Sequence, residues 1–123
     1  MVAIRTAFDY KVFFSGGVTM GILVICSYKA KPGQAEKARQ LVAAHVPTLR
    51  RHGLITDREA AKGEGAGGNF VEIFEWESEE KSRLAPTIAE VGNAWKAMSE
   101  VMDFVPLASL AEAQRPFAHF TPA

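Results

Sequence analysis

Phe70-Val71-Glu72-Ile73-Phe74-Glu75-Trp76 is the stretch on which the fold turns. It is rich in aromatic and β-branched residues, and strand alternation sends Phe70, Glu72, Phe74 and Trp76 to one face, Val71 and Ile73 to the other. Apolar residues on both faces mark a strand covered on both sides. Just before it, residues 63–69 form a glycine-rich turn. Residues 54–62 read as a weaker, more polar strand, so the two make a hairpin. Further upstream, residues 21–30 carry Ile22, Leu23, Val24, Ile25 and Tyr28, again β-branched and aromatic, and Pro32-Gly33 ends that strand.

Between these strands the period changes. Ala38, Leu41, Val42, His45 and Leu49 fall on one helical stripe, with Lys37, Arg39 and Arg50 off it. Pro47 removes a backbone donor and predicts a kink about a turn earlier. Gly53 supplies the C-terminal stop. After Trp76, Ser78 reads as an N-cap followed by Glu79 and Glu80, which the helix dipole favours. Pro86 restarts or bends this helix, and Leu84, Ile88, Val91, Trp95, Met98 and Met102 form its apolar stripe. Asp103 breaks the stripe. Residues 104–107 read as a short last strand, with Pro106 favouring an edge or bulge. Residues 109–114 add a helical turn, and the tail with Phe117 and Phe120 is expected to dock.

The order is βαββαβ, the ferredoxin-like split motif: an α+β fold with a four-stranded antiparallel sheet and two helices on one face. The other sheet face also carries apolar residues, and in a chain of 123 residues a second subunit is the simplest cover. A homodimer is the expected state.

Composition narrows the partners. Fourteen basic and fourteen acidic residues cancel, so the cation excess that drives phosphate-backbone binding is missing and nucleic acid is not expected. Hydrophobic residues make up 48% and charged ones 23%, enough for one core. Cys26 is the lone cysteine, which excludes an internal disulfide and a cysteine-based zinc site. A reducing, cytoplasmic setting fits. No apolar run reaches the roughly 18 residues of a membrane span. Residues 1–19 read as an extension outside a single domain at 20–123, with Met20 a candidate natural start. The competing reading is a real edge strand at residues 10–14.

The chain resembles the antibiotic-biosynthesis-monooxygenase-like families of the dimeric α/β barrel superfamily. The resemblance covers roughly residues 20–110 of the 123. It rests on Tyr28-Lys29-Ala30-Lys31-Pro32-Gly33 leading into a helix, on Phe74-Glu75-Trp76-Glu77-Ser78-Glu79-Glu80 leading into the second helix, and on the element order. It implies a pocket between sheet and helices, and activities that include cofactor-free oxygenation of aromatic polyketides, haem degradation, and isomerase or lyase chemistry. The haem-degrading branch uses an asparagine on the first strand, a tryptophan closing the third and a histidine on the second helix. Trp76 matches the tryptophan. Cys26 stands near the asparagine position, and the second helix offers only Asn93 and Lys96. Haem is therefore not carried over, and no cofactor or metal is expected.

Within that pocket the resemblance places Val24, Cys26 and Tyr28 from the first strand, Phe70, Glu72, Phe74 and Trp76 from the third, His45 from the first helix, and Trp95 and Met98 from the second. Glu72 stands out, because a carboxylate on an apolar strand face is costly unless paired. Either it works as acid or base with His45, or it forms a structural pair with a histidine, arginine or tyrosine, or it sits at a solvent rim. Glu72 and His45 are the catalytic candidates; Tyr28, Phe74, Trp76, Trp95 and Cys26 are the substrate-binding ones. Each has a plainer reading: His45, Trp76 and Trp95 as core, Tyr28 as a donor to a backbone carbonyl, Cys26 as a small buried hydrophobe.

Gly63-Glu64-Gly65-Ala66-Gly67-Gly68 satisfies G-x-G-x-x-G, but a strand follows it instead of the helix a dinucleotide site needs. His52 and His119 lack ligand-spaced partners. Glu75, Glu77, Glu79 and Glu80 read as a solvated corner. Two functions come first: a cofactor-independent, monooxygenase-like enzyme on an aromatic or polyketide-like molecule, or a non-catalytic homodimer that binds a small apolar ligand. A third reading, haem binding, predicts a Soret band that depends on His45.

Overall fold

The computed structural model describes residues 21–123. The expected extension at 1–19 and the alternative strand at 10–14 lie outside the described residues. The elements are β1 (Ile22–Ala30), α1 (Ala35–Arg51), β2 (Ala61–Glu64), β3 (Asn69–Trp76), α2 (Glu79–Leu84), α3 (Ala89–Val101), β4 (Met102–Phe104) and β5 (Thr121–Pro122). They build an α+β fold with an open sheet in the order β4-β1-β3-β2-β5, every neighbouring pair antiparallel. None of the helices among the described residues is long and apolar enough to cross a membrane.

The long central pairing of β1 with β3 sets the two faces. Its register places Val24 opposite Phe74, Cys26 opposite Glu72 and Tyr28 opposite Phe70. Those residues share a face, and they pack against α1 and α3. One half of the core joins Val46, Leu49, Phe74 and Val91, with Val24, Cys26, Trp76 and Trp95 against it. The other half joins Tyr28, Ala38, Val42, Phe70, Met98 and Met102. Both helical stripes read from the sequence thus face the sheet, with two departures: Leu84, at the end of α2, is 45% exposed, and Met102 is buried but lies on β4.

Several boundaries depart from the sequence reading. The sheet has five strands instead of four. The expected strand at residues 54–62 reduces to a single bridge, Ile55 to Trp76, followed by β2 further on. The cause is local: the Thr56 hydroxyl accepts from the Arg58 backbone N–H and donates to Glu75, and this turns the polar run outward. Helix α1 runs through Pro47. At α2, Ser78 caps as expected, its Oγ accepting from Lys81 N–H at 3.1 Å. Pro86 then sits in a 3-10 turn, Ala85–Thr87, and Ile88 is extended before α3 restarts. Helix α3 ends at Val101, so Met102, expected as the last residue of its stripe, instead begins β4, earlier than the expected 104.

The C-terminal segment does part of the covering that the sequence assigned wholly to a second subunit. Leu110 is fully buried. Glu112 accepts from the Ala66 N–H and the Asn69 amide, and its carboxyl is held low by those bonds. β5 pairs with β2, where a Cβ at Gly63 would lie 2.6 Å from Phe120 Cβ and 3.3 Å from Val71 Cγ1. Val71 and Ser27, on the face away from the helices, are buried. Farther along that face Leu23 and Ile25 stay open, 62% and 48% exposed. The tail docks through Phe120 and β5, while Phe117 projects into solvent. The hairpin turn needs glycine at position 68, where φ is +83° and a Cβ would meet Ala30 Cβ at 2.9 Å.

Candidate functional site

Glu72 lies at the middle of β3 with its side chain fully buried. Its Oε1 accepts two hydrogen bonds. The Tyr28 hydroxyl donates from β1 at 2.8 Å, and His45 Nδ1 approaches from α1 at 2.8 Å. The other imidazole nitrogen, Nε2, accepts from the indole N–H of Trp95 on α3 at 2.9 Å. Strand alternation, the α1 stripe and the α3 stripe thus converge on one chain of polar groups inside an apolar core.

The protons in this chain can be placed. An indole nitrogen only donates, so His45 Nε2 carries a lone pair. The ring's proton is then on Nδ1, and His45 donates to Glu72. Glu72 is the terminal acceptor of both branches. Among the described residues nothing hydrogen-bonds its Oε2, so one oxygen takes the whole load. Burial, then the Glu72 charge, pushes the Tyr28 phenol far above its ordinary range, so Tyr28 acts as a donor and not as a base. Cys26 is likewise pushed up from 9.0 to about 11, chiefly by burial, with a bond to Tyr28 opposing and Glu72 adding to the rise. It is a thiol, not a thiolate nucleophile.

A cavity of about 530 Å³ opens beside this chain, a size suited to a small molecule. Cys26, Tyr28, His45, Phe74, Trp76 and Trp95 all line it. The rings of Phe74 and Trp76 meet edge to face with centroids 5.3 Å apart, and Phe74 meets His45 at 5.8 Å. No lysine, arginine, aspartate or glutamate is in the lining. Of the residues that the sequence placed in the pocket, Val24, Phe70 and Glu72 are absent from the wall; Val24 and Phe70 pack into the core, and Glu72 stands behind His45 and Tyr28.

Met98 completes the wall from α3, as the stripe implied, whereas Asn93 and Lys96 are exposed. Phe104, Val105 and Pro106 form part of the wall that sequence reading missed. Phe104 lies edge-on to Tyr28 at 5.5 Å because β4 pairs Phe104 directly with Tyr28. The only signal was Pro106, which stops that strand. The remaining candidates stay apart from the cavity. His52 bonds Glu90 at 2.7 Å on the surface, His119 is exposed, and Glu75 is held by Thr56 and Arg58.

The chain matches no family model and no curated protein. Its fold is that of a solved structure, a conserved protein of unknown function from Bacteroides thetaiotaomicron described as a possible oxidoreductase. The TM-score is 0.61 at 11% identity, over 72% of this chain and 94% of that one. At that identity the likeness concerns the fold alone.

Proposed function

We propose that this chain is a cofactor-independent, monooxygenase-like enzyme acting on an uncharged aromatic or polyketide-like molecule, with His45 as base, Glu72 as its positioning partner and Tyr28, Phe74, Trp76, Trp95 and Cys26 as the wall that holds the ligand. One observation carries this reading: a fully buried carboxylate holds a histidine in a defined tautomer at the wall of an aromatic cavity. A carboxylate on Nδ1–H orients the ring and stabilises the imidazolium that forms when Nε2 takes a proton. The ligand would be a carbon acid beside a carbonyl or phenol. The hydroxyl of its enol form gives one proton to Nε2, the resulting carbanion reacts with dioxygen, and loss of water leaves a ketone. One oxygen atom stays on carbon and the other departs in water with both hydrogens, so the step balances without a metal or flavin. The possible oxidoreductase noted above is compatible with this class.

The same reading includes a ferredoxin-like core in a dimeric α/β barrel. In its favour are the order β4-β1-β3-β2 with both long helices on one face, β5 being an edge addition, and the open Leu23 and Ile25 on the other face. A non-catalytic homodimer that binds a small apolar ligand is the second reading, favoured by the Trp95 bond that occupies Nε2.

The deciding experiment is oxygen uptake with a panel of anthrones and hydroxynaphthoquinols. Glu72→Gln and His45→Ala should each lower turnover by about 10²–10⁴-fold, the usual worth of a positioned proton acceptor. Ligand binding with no oxygen uptake by the wild type favours the second reading. Unchanged rate and pH profile in Glu72→Gln removes Glu72 from the mechanism.

A further inference from the structure

We infer that Trp95 is the specificity-determining residue of the cavity: its indole N–H holds, on His45 Nε2, the place that a hydroxyl of an uncharged aromatic ligand takes. This rests on the reading that the cavity binds a small molecule.

Nε2 is the one imidazole atom not committed to Glu72, and Trp95 already donates to it at 2.9 Å. The two partners are not equally fixed. His45 is 4% exposed, bonded to Glu72 and packed edge-on against Phe74. Trp95 is half-buried on α3 and its ring is part of the cavity wall. A ligand reaching Nε2 therefore displaces the indole and leaves the imidazole in place.

That displacement selects for chemistry. A hydroxyl replaces one donor by another, the Nδ1–H tautomer is kept, and no buried acceptor is orphaned. A ligand of the same shape without a donor gains nothing from moving the indole, because it would leave Nε2 bare, and an unsatisfied buried acceptor is costly. A carboxylate or phosphate would set acceptor against acceptor, with no cation in the wall to offset it. Discrimination by a hydrogen bond that only the right ligand completes is stronger than discrimination by apolar shape.

The test uses 2-naphthol and 2-methylnaphthalene, matched in shape and differing in the donor. The indole N–H proton of Trp95 is followed by NMR in the full-length protein, assigned against Trp76→Phe. Binding of 2-naphthol should move that proton upfield and speed its exchange, whereas 2-methylnaphthalene should leave it in place. Trp95→Phe removes the competitor, so it should tighten 2-naphthol about three- to tenfold relative to 2-methylnaphthalene, the worth of one ordinary hydrogen bond. His45→Phe should erase the preference for the hydroxyl. If both compounds bind and neither shifts the indole proton, or if Trp95→Phe weakens both alike, Trp95 is only wall and the inference fails while the cavity stands. If neither compound binds, the small-molecule reading falls with it.

Discussion

At the scale of single residues, the site is a matter of donors and acceptors more than of residue types. Glu72, His45, Tyr28 and Trp95 could each be picked from the sequence, because periods of two and 3.6 put them on inward faces. That Trp95 donates to His45, and that Glu72 stands behind the wall instead of in it, depends on rotamers and on how α1 and α3 cross. Hydrophobic periodicity carries no record of either. Cys26 yields a prediction with a definite sign. Its thiol is raised from 9.0 to about 11 in the folded state, so the folded chain keeps a proton that the unfolded chain has lost. The stability this contributes is whole below pH 9.0 and is lost as pH climbs toward 11. Urea unfolding of Cys26→Ala should therefore show a shallower alkaline fall than the wild type, by about 2 kcal/mol between those limits. The Tyr28 phenol, raised in the same direction, keeps some fall in both proteins at still higher pH. Identical alkaline slopes would mean that the thiol is solvated in the folded protein.

At the scale of elements, the strong patterns were legible and the weak ones moved. β1, α1, β3 and α3 follow from long runs with a single period, and the break at Pro86 from the missing donor of proline. The strand expected at residues 54–62 failed because Thr56 and Arg58 close a local turn that competes with the ladder. β5 is two residues long, below what any period reveals. What fixes β5 is a glycine on its neighbour. At Gly63 an added Cβ would meet Phe120 Cβ at 2.6 Å, an atom that cannot swing aside without moving backbone. Gly63→Ala should lift Phe120 and β5 from β2 at a cost of about 1–3 kcal/mol. Hydrogen exchange reads this directly, since the Ala123 N–H donates to the Lys62 carbonyl at 3.0 Å. That amide should lose protection in Gly63→Ala while those of β1 and β3 keep theirs. Retained protection at Ala123 would show that the tail is held mainly by Leu110 and Glu112.

At the scale of the whole molecule, the question is what lies against the face away from the helices. The sequence reading covered all of that face with a partner, but the chain's own C-terminal segment seals the part around Ser27 and Val71. What remains is Leu23 and Ile25 on β1, with Ile73 opposite Ile25. β4 pairs with β1 only from Tyr28 onward, so among the described residues the Ile22–Cys26 stretch of β1 lacks a strand on that side. An open apolar strand edge is a liability in a monomer and a ready interface in a dimer. The proposed homodimer therefore has a smaller, sharper footprint than a sheet-wide one, centred on the first half of β1. Replacing Leu23 and Ile25 together by lysine should convert a dimer in native mass spectrometry to a monomer. The far-ultraviolet circular dichroism should stay unchanged, because both side chains point away from the core. A wild-type monomer at micromolar concentration would leave the β1 edge without a second copy to cover it, and the dimeric-barrel reading would be withdrawn. A dimer that survives the double substitution would place the interface elsewhere, with the exposed Phe104 and Phe117 the next apolar side chains to replace.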